Sequence, residues 1–244
     1  MHILASADFS NPLFWSVMVA WIATVTVHEF SHGLVAYLGG DYTIRQRGGL
    51  ALNPLQYVNL TTSILIPIAM LAMGGIPLPG GATYIRRDLL RSRLWESMAA
   101  AAGPASNLIM GALFLLPLHP RFGWAYTAPD DFDHWSNFQM FLATMGVLQW
   151  LTALFNLIPC PPLDGFNIIA PMLPDDLRRN ARSPQVQGAL FIGLFLVFMT
   201  VSGITTWMLS RLADILIWLH FDYGTLNFIG RSFDFVLFGH ASAS

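Results

Sequence analysis

The strongest constraint on this chain is a His-Glu-x-x-His motif, His28-Glu29-Phe30-Ser31-His32, which directly follows sixteen uncharged residues, 12–27. On a helix, histidines four residues apart project from one face and can hold a single zinc ion, with Glu29 beside them as a base toward water. The uncharged run places the motif at membrane depth, where a central charge costs on the order of 3 kcal/mol. Residues kept at that cost are kept for chemistry. Seven His and two Glu in 244 residues predict about 0.002 chance occurrences of the pattern. A pair of structural histidines satisfied by polar neighbours fits poorly here, and the cluster points to zinc-dependent hydrolysis inside a bilayer.

Composition agrees. Hydrophobic residues make up 55% of the chain, charged residues 11%, and the mean hydropathy is +0.54, whereas a soluble domain carries about 25% charged residues. A length of 244 residues accommodates five or six spans and leaves little for a separate soluble domain. The net charge of −2 gives no reason to expect nucleic acid as a partner. All basic residues are Arg; there is no Lys. The single cysteine, Cys160, excludes an internal disulfide and a cysteine-cluster metal site. Residues 1–11 contain no Lys or Arg and no small-residue cleavage pattern, so the first apolar segment is expected to stay in the membrane.

Five apolar segments approach or exceed the length of a span: 12–38, 57–79, 94–118, 138–159 and 186–221. The last is too long for one straight crossing. Gly203, Arg211, Asp214, Trp207 and Trp218 suggest a kink followed by an interfacial helix, with two short spans as the alternative. Seven arginines in the loops after the second and fourth segments, against three in the opposite loops, place the N-terminus on the cytoplasmic side. The expected architecture is an all-α polytopic membrane protein forming one domain, with a catalytic core over about 12–170 and a C-terminal part over 186–244. Two connectors read as strand-like hairpins: 42–52, turning at Gly48-Gly49, and 79–85, after Pro79-Gly80-Gly81. The first offers an edge strand on which an extended substrate could be held.

A catalytic zinc takes three protein ligands. The only other glutamate, Glu96, sits at the arginine-rich start of the third segment, and the remaining histidines lie near termini or segment ends. Asp164 is the better candidate, with Cys160 ranked well below it. It follows Pro159, Pro161 and Pro162, which break the fourth helix, and broken backbone at membrane depth is tolerated where it lines a cavity.

Three motifs in order carry a resemblance: the His28–His32 motif, then Ala102-Gly103-Pro104-Ala105-Ser106-Asn107, then Asn156 through Asp164-Gly165. Together they resemble the site-2 protease family of intramembrane zinc metalloproteases, over roughly residues 15–170. The resemblance implies His28, His32 and Asp164 as ligands of one Zn2+ ion, Glu29 as the general base and Asn156 as a donor to the oxyanion, with Asn107 a supporting residue. It also implies a single-span membrane protein substrate cut within the bilayer, in a prokaryotic cell membrane. After Leu52-Asn53-Pro54-Leu55 the chain has Gln56-Tyr57-Val58-Asn59, where compact members carry a basic or His residue and an Asp-Pro pair. The competing readings are a zinc-binding transporter, which would need several ligand sets along a path, and an inactive family member.

Overall fold

The computed structural model describes residues 9–57, 84–121, 123–126, 135–200 and 203–238. Among these the architecture is entirely helical. Helix α1 spans Pro12–Leu38. Asn11 starts it, its Oδ1 accepting from the Leu13 amide at 2.9 Å, and Pro12 stands at the first position, where a missing N–H is harmless. The helix stops at Gly39-Gly40. Gly40 adopts a φ of 120°, and a Cβ there would lie 2.8 Å from the Leu89 carbonyl oxygen, so the residue is restricted to glycine.

A short turn, α2 (Thr43–Gln46), follows. This corrects the hairpin expected over 42–52. Asp41 is fully buried, and its Oδ1 accepts from the Thr43 amide at 3.2 Å and from the Thr43 hydroxyl at 2.5 Å, bending the chain back just before the turn. Ile44 is then buried against Ala36 and Ala99. A turn held by a buried carboxylate, with one apolar anchor, outcompetes alternation that has only a Gly-Gly pair to support it. The edge-strand role proposed for this segment falls with it. The second candidate hairpin and the apolar segment 57–79 lie outside the described residues, apart from Tyr57, Tyr84 and Ile85. Asp41 also ties the 84–91 segment to the end of α1: its Oδ2 accepts from the Arg86 amide at 2.7 Å, while the Arg91 amide donates to the Gly39 carbonyl at 2.9 Å.

Helix α3 (Arg93–Leu115) opens at Ser92, whose hydroxyl accepts from the Trp95 amide, and packs between α1 and α4 (Asn137–Asn156). Helix α4 begins with a capping box formed by Ser136 and Gln139. Small residues set the approach of α3 and α4. Gly111 faces the Cβ of Gln149, and a Cβ on Gly146 would lie 2.4 Å from the Leu115 side chain. Between α1 and α4 the buried Gln149 amide donates to the Thr24 hydroxyl at 2.9 Å.

After the proline-rich break come two short helices, α5 (Asp164–Ile169) and α6 (Asp175–Ala181). The remainder divides into α7 (Pro184–Thr200), α8 (Gly203–Trp218) and α9 (Tyr223–Phe238). Helix α8 starts at the glycine expected to mark the kink. It buries Met208, Leu212 and Leu216, one turn apart along one face, in the main core. Helix α9 lies beyond the last apolar segment, 186–221. It carries Arg231 and Asp234, which dilute its hydropathy, yet it buries Phe228, Ile229, Phe233, Val236 and Leu237 against α4. Among the described residues three helical stretches are long and apolar enough to cross a membrane: Pro12–Leu38, Arg93–Leu118 and Asn137–Asn156.

Candidate metal centre

His28 and His32 lie one turn apart on α1 and are each 5% exposed, as is Glu29 between them. Asp164 is the first residue of α5. Packing of α3 against both elements brings the three ligand candidates together. His28 Nε2 lies 3.1 Å from His32 Nε2, and Asp164 Oδ2 lies 3.2 Å from the first and 3.3 Å from the second. Among the described residues these three form the group whose donor atoms all fall within 4.8 Å of one another.

The other nitrogen of each ring is engaged. His32 Nδ1 donates to the Ala99 carbonyl at 2.7 Å, and His28 Nδ1 donates to Asn107 Oδ1 at 3.2 Å. A carbonyl or amide oxygen can only accept, so both protons sit on Nδ1 and both Nε2 lone pairs face Asp164. Three electron-rich atoms converging at this distance call for a cation between them. Zinc–ligand bonds of about 2.0–2.1 Å in tetrahedral geometry separate the ligand atoms by about 3.4 Å, close to the spacing seen here. Carbonyl or amide partners on the far nitrogens are also the usual way a metal-binding histidine is oriented.

Gly103 supplies a second observation that the residues fit a metal. A Cβ at this position would lie 2.2 Å from His32 Nε2 and 2.6 Å from His28 Nε2. The bare backbone of α3 therefore leaves open the space into which the ligand atoms point. One turn further along the same face, Asn107 reaches His28. The Gly-Pro-x-x-Asn segment is thus a wall of the site: glycine for room, asparagine for orientation. The Asn107 contact, the Ala99 carbonyl and the Gly103 clearance all depend on how α1 and α3 approach, which motif spacing within either helix does not reveal.

Asn156 is the last residue of α4 and is 7% exposed. Helix α5 docks directly beside it, so closely that a Cβ on Gly165 would lie 2.2 Å from the Leu157 carbonyl oxygen. The Ser97 hydroxyl on α3 holds the far end of α5 by donating to the Ile168 carbonyl at 2.7 Å. Cys160, the lower-ranked ligand candidate, is outside the three-residue group, with its thiol toward the Pro161 carbonyl at 3.6 Å. Tyr57, at the point where the chain departs from compact members, is buried, and its hydroxyl has no hydrogen-bond partner among the described residues.

A helical membrane protein with two imidazoles and a carboxylate converging beside a buried glutamate belongs to the metallopeptidase class in its chemistry. Comparison with known proteins narrows the class. The family model described as Peptidase family M50 matches residues 127–200, the stretch containing Asn156 and Asp164. The chain is 30% identical over 224 residues to a protein of Mycolicibacterium smegmatis assigned as the zinc metalloprotease Rip2, covering 84% of this chain and 83% of that one. It is 33% identical over 189 residues to a Bacillus subtilis protein assigned as the zinc metalloprotease YwhC, covering 77% and 81% respectively. A Rip2 of Mycobacterium tuberculosis is 31% identical over 184 residues. No solved structure matches. The chain belongs to the M50, or site-2 protease, family: it is an intramembrane zinc metalloprotease acting on membrane protein substrates. A transporter reading is not favoured.

Proposed function

We propose that His28, His32 and Asp164 hold the catalytic zinc, that Glu29 is the general base, and that Asn156 donates to the developing oxyanion. The observation that carries this reading is the convergence of two Nε2 atoms and Asp164 Oδ2 at 3.1–3.3 Å with both Nδ1 protons committed elsewhere. When bound, zinc acts as a Lewis acid toward a peptide carbonyl and a water.

The protein's own groups supply the rest. Glu29, buried next to His28, takes the proton of the attacking water and returns it to the leaving amine. Such proton transfer contributes about 10²–10⁴-fold. The Asn156 amide, fixed at the end of α4, stabilises negative charge on the carbonyl oxygen. Burial keeps these dipoles out of bulk water, where they would count for less. Asn107 and the Ala99 carbonyl hold the imidazoles in the required tautomer.

The substrate in this reading is a single-span protein whose helix must unwind locally, because its carbonyls are otherwise engaged in its own hydrogen bonds. The chain forms one multi-pass domain of five to six spans in a prokaryotic cell membrane, with its arginine-rich loops on the cytoplasmic side. Purified wild type and Glu29→Gln, compared for zinc content and for cleavage of a model transmembrane substrate, test the assignment. Equal zinc with cleavage reduced at least about a hundredfold is expected. Retained cleavage would remove Glu29 from its role.

A further inference from the structure

Away from the metal centre, a cleft of about 340 Å³ opens between the 87–93 segment, the start of α3 and α6. Four guanidinium groups line it, from Arg87, Arg93, Arg178 and Arg182. Their described carboxylate partners are two. Glu96 serves both Arg87, at 3.4 Å, and Arg182, at 2.5 Å. Asp175 serves both Arg178, at 2.5 Å, and Arg93, at 3.9 Å. Asp88, also in the lining, is taken by Arg86 in a two-point pair at 2.7 and 3.0 Å. Four cations thus share two anions, which leaves an excess of about two positive charges facing one cavity.

Arg182 Nε is buried and has no hydrogen-bond partner, although Nη2 of the same group holds Glu96. An orphaned donor on a charged group is costly, and guanidinium geometry suits a tetrahedral oxyanion. Burial and the neighbouring Arg182 hold the Arg87 guanidinium below its ordinary value, and Glu96 offsets them only in part. The orphaned Nε and the sharing of two carboxylates among four guanidinium groups describe a site short of negative charge.

We propose that this cleft binds a phosphate-bearing anion, with Arg87 and Arg182 as its principal ligands and Arg93 and Arg178 at its rim. A lipid headgroup is the favoured source. Apolar residues flank the cationic ones: Leu94, beside Arg93, is 66% exposed, and Leu177, beside Arg178, is 53% exposed. A phospholipid places a phosphate and acyl chains in that relation, and basic pockets at helix ends accept such headgroups. The site also reaches the metal centre. Arg87 Nη2 donates to Asn167 Oδ1 at 3.1 Å, and Asn167 lies on α5, one turn after Asp164. An anion that fixes Arg87 steadies the helix that presents Asp164.

Titration of the full chain in neutral detergent with short-chain phosphatidylglycerol, and separately with inorganic phosphate, tests this through Tm and through the fluorescence of Trp95, over which Arg91 lies. Neither readout depends on cleavage. Phosphatidylglycerol should stabilise wild type and the exposed control Arg45→Gln saturably, with half-saturation weakened about tenfold in Arg87→Gln and Arg182→Gln, as loss of a charge-assisted hydrogen bond predicts. An equal, Arg182-dependent response to inorganic phosphate supports the site with a free anion as its ligand. If Arg182→Gln fails to fold, Arg182→Lys and the largely exposed Arg93→Gln carry the test. Binding of neither anion to wild type, or undiminished binding by these variants, overturns the proposal.

Discussion

Gly103 is where the metal centre is most sensitive to a single atom. Helix α3 approaches α1 so closely that the first carbon of any side chain would occupy the space shared by both Nε2 atoms. Alanine has a better helix propensity than glycine by up to about 1 kcal/mol, so Gly103→Ala should leave the helix intact or strengthen it. The imidazoles, however, would have to turn away. The expected result is a folded protein with little or no bound zinc, read by metal analysis beside circular dichroism; full zinc occupancy would contradict the geometry. At this scale the sequence singles out the three side chains that the fold brings together. The spacing of His28 and His32 determines their shared face, and the prolines before Asp164 mark it out among the acidic residues by breaking the helix there. The sequence is a poor guide to why Gly103, Ala99 and Asn107 matter, because their roles exist only across the helix pair.

Helix α5 shows how a short element can be indispensable. Six residues long, it has almost no intrinsic stability, and its position is set by contacts at both ends. Gly165 sits against the backbone of Leu157 and Ile158, and Ile168 is held by Ser97. Backbone cannot yield as a side chain tip can. Gly165→Ala should therefore displace α5 and carry Asp164 out of register, with a stability loss of about 2 kcal/mol or more. Differential scanning calorimetry and zinc content should fall together, in contrast to Gly103→Ala, where only zinc is lost. Long apolar helices such as α1 and α4 were legible because each residue adds to one hydropathy signal. Helix α9 was not, since its buried stripe alternates with Asn227, Gly230, Arg231 and Asp234. The turn at Thr43–Gln46 escaped for a different reason: Asp41, which holds the Thr43 amide, is itself held by the Arg86 amide, far along the chain.

The whole molecule folds around a set of groups that repel one another unless a cation joins them. With the zinc held as proposed, metal and fold are coupled thermodynamically. At a free zinc concentration about a hundredfold above the dissociation constant, linkage contributes about 2.7 kcal/mol. For a chain of this size that corresponds to a Tm change of about 5–10 °C. Exhaustive chelation should lower Tm by this amount in wild type and much less in Asp164→Ala; an equal fall in Asp164→Ala would show that the ion is held elsewhere. The two halves of the site also come from distant parts of the chain, the imidazoles from the first helix and the carboxylate from a helix past the fourth apolar segment. Translation delivers them in that order. While the ribosome is still extruding the middle of the chain, the imidazoles have entered the bilayer without their carboxylate, and no peptide bond nearby is at risk. With the zinc held as proposed, a protease that shares its membrane with other nascent chains stays inert until its own carboxylate helix has been made.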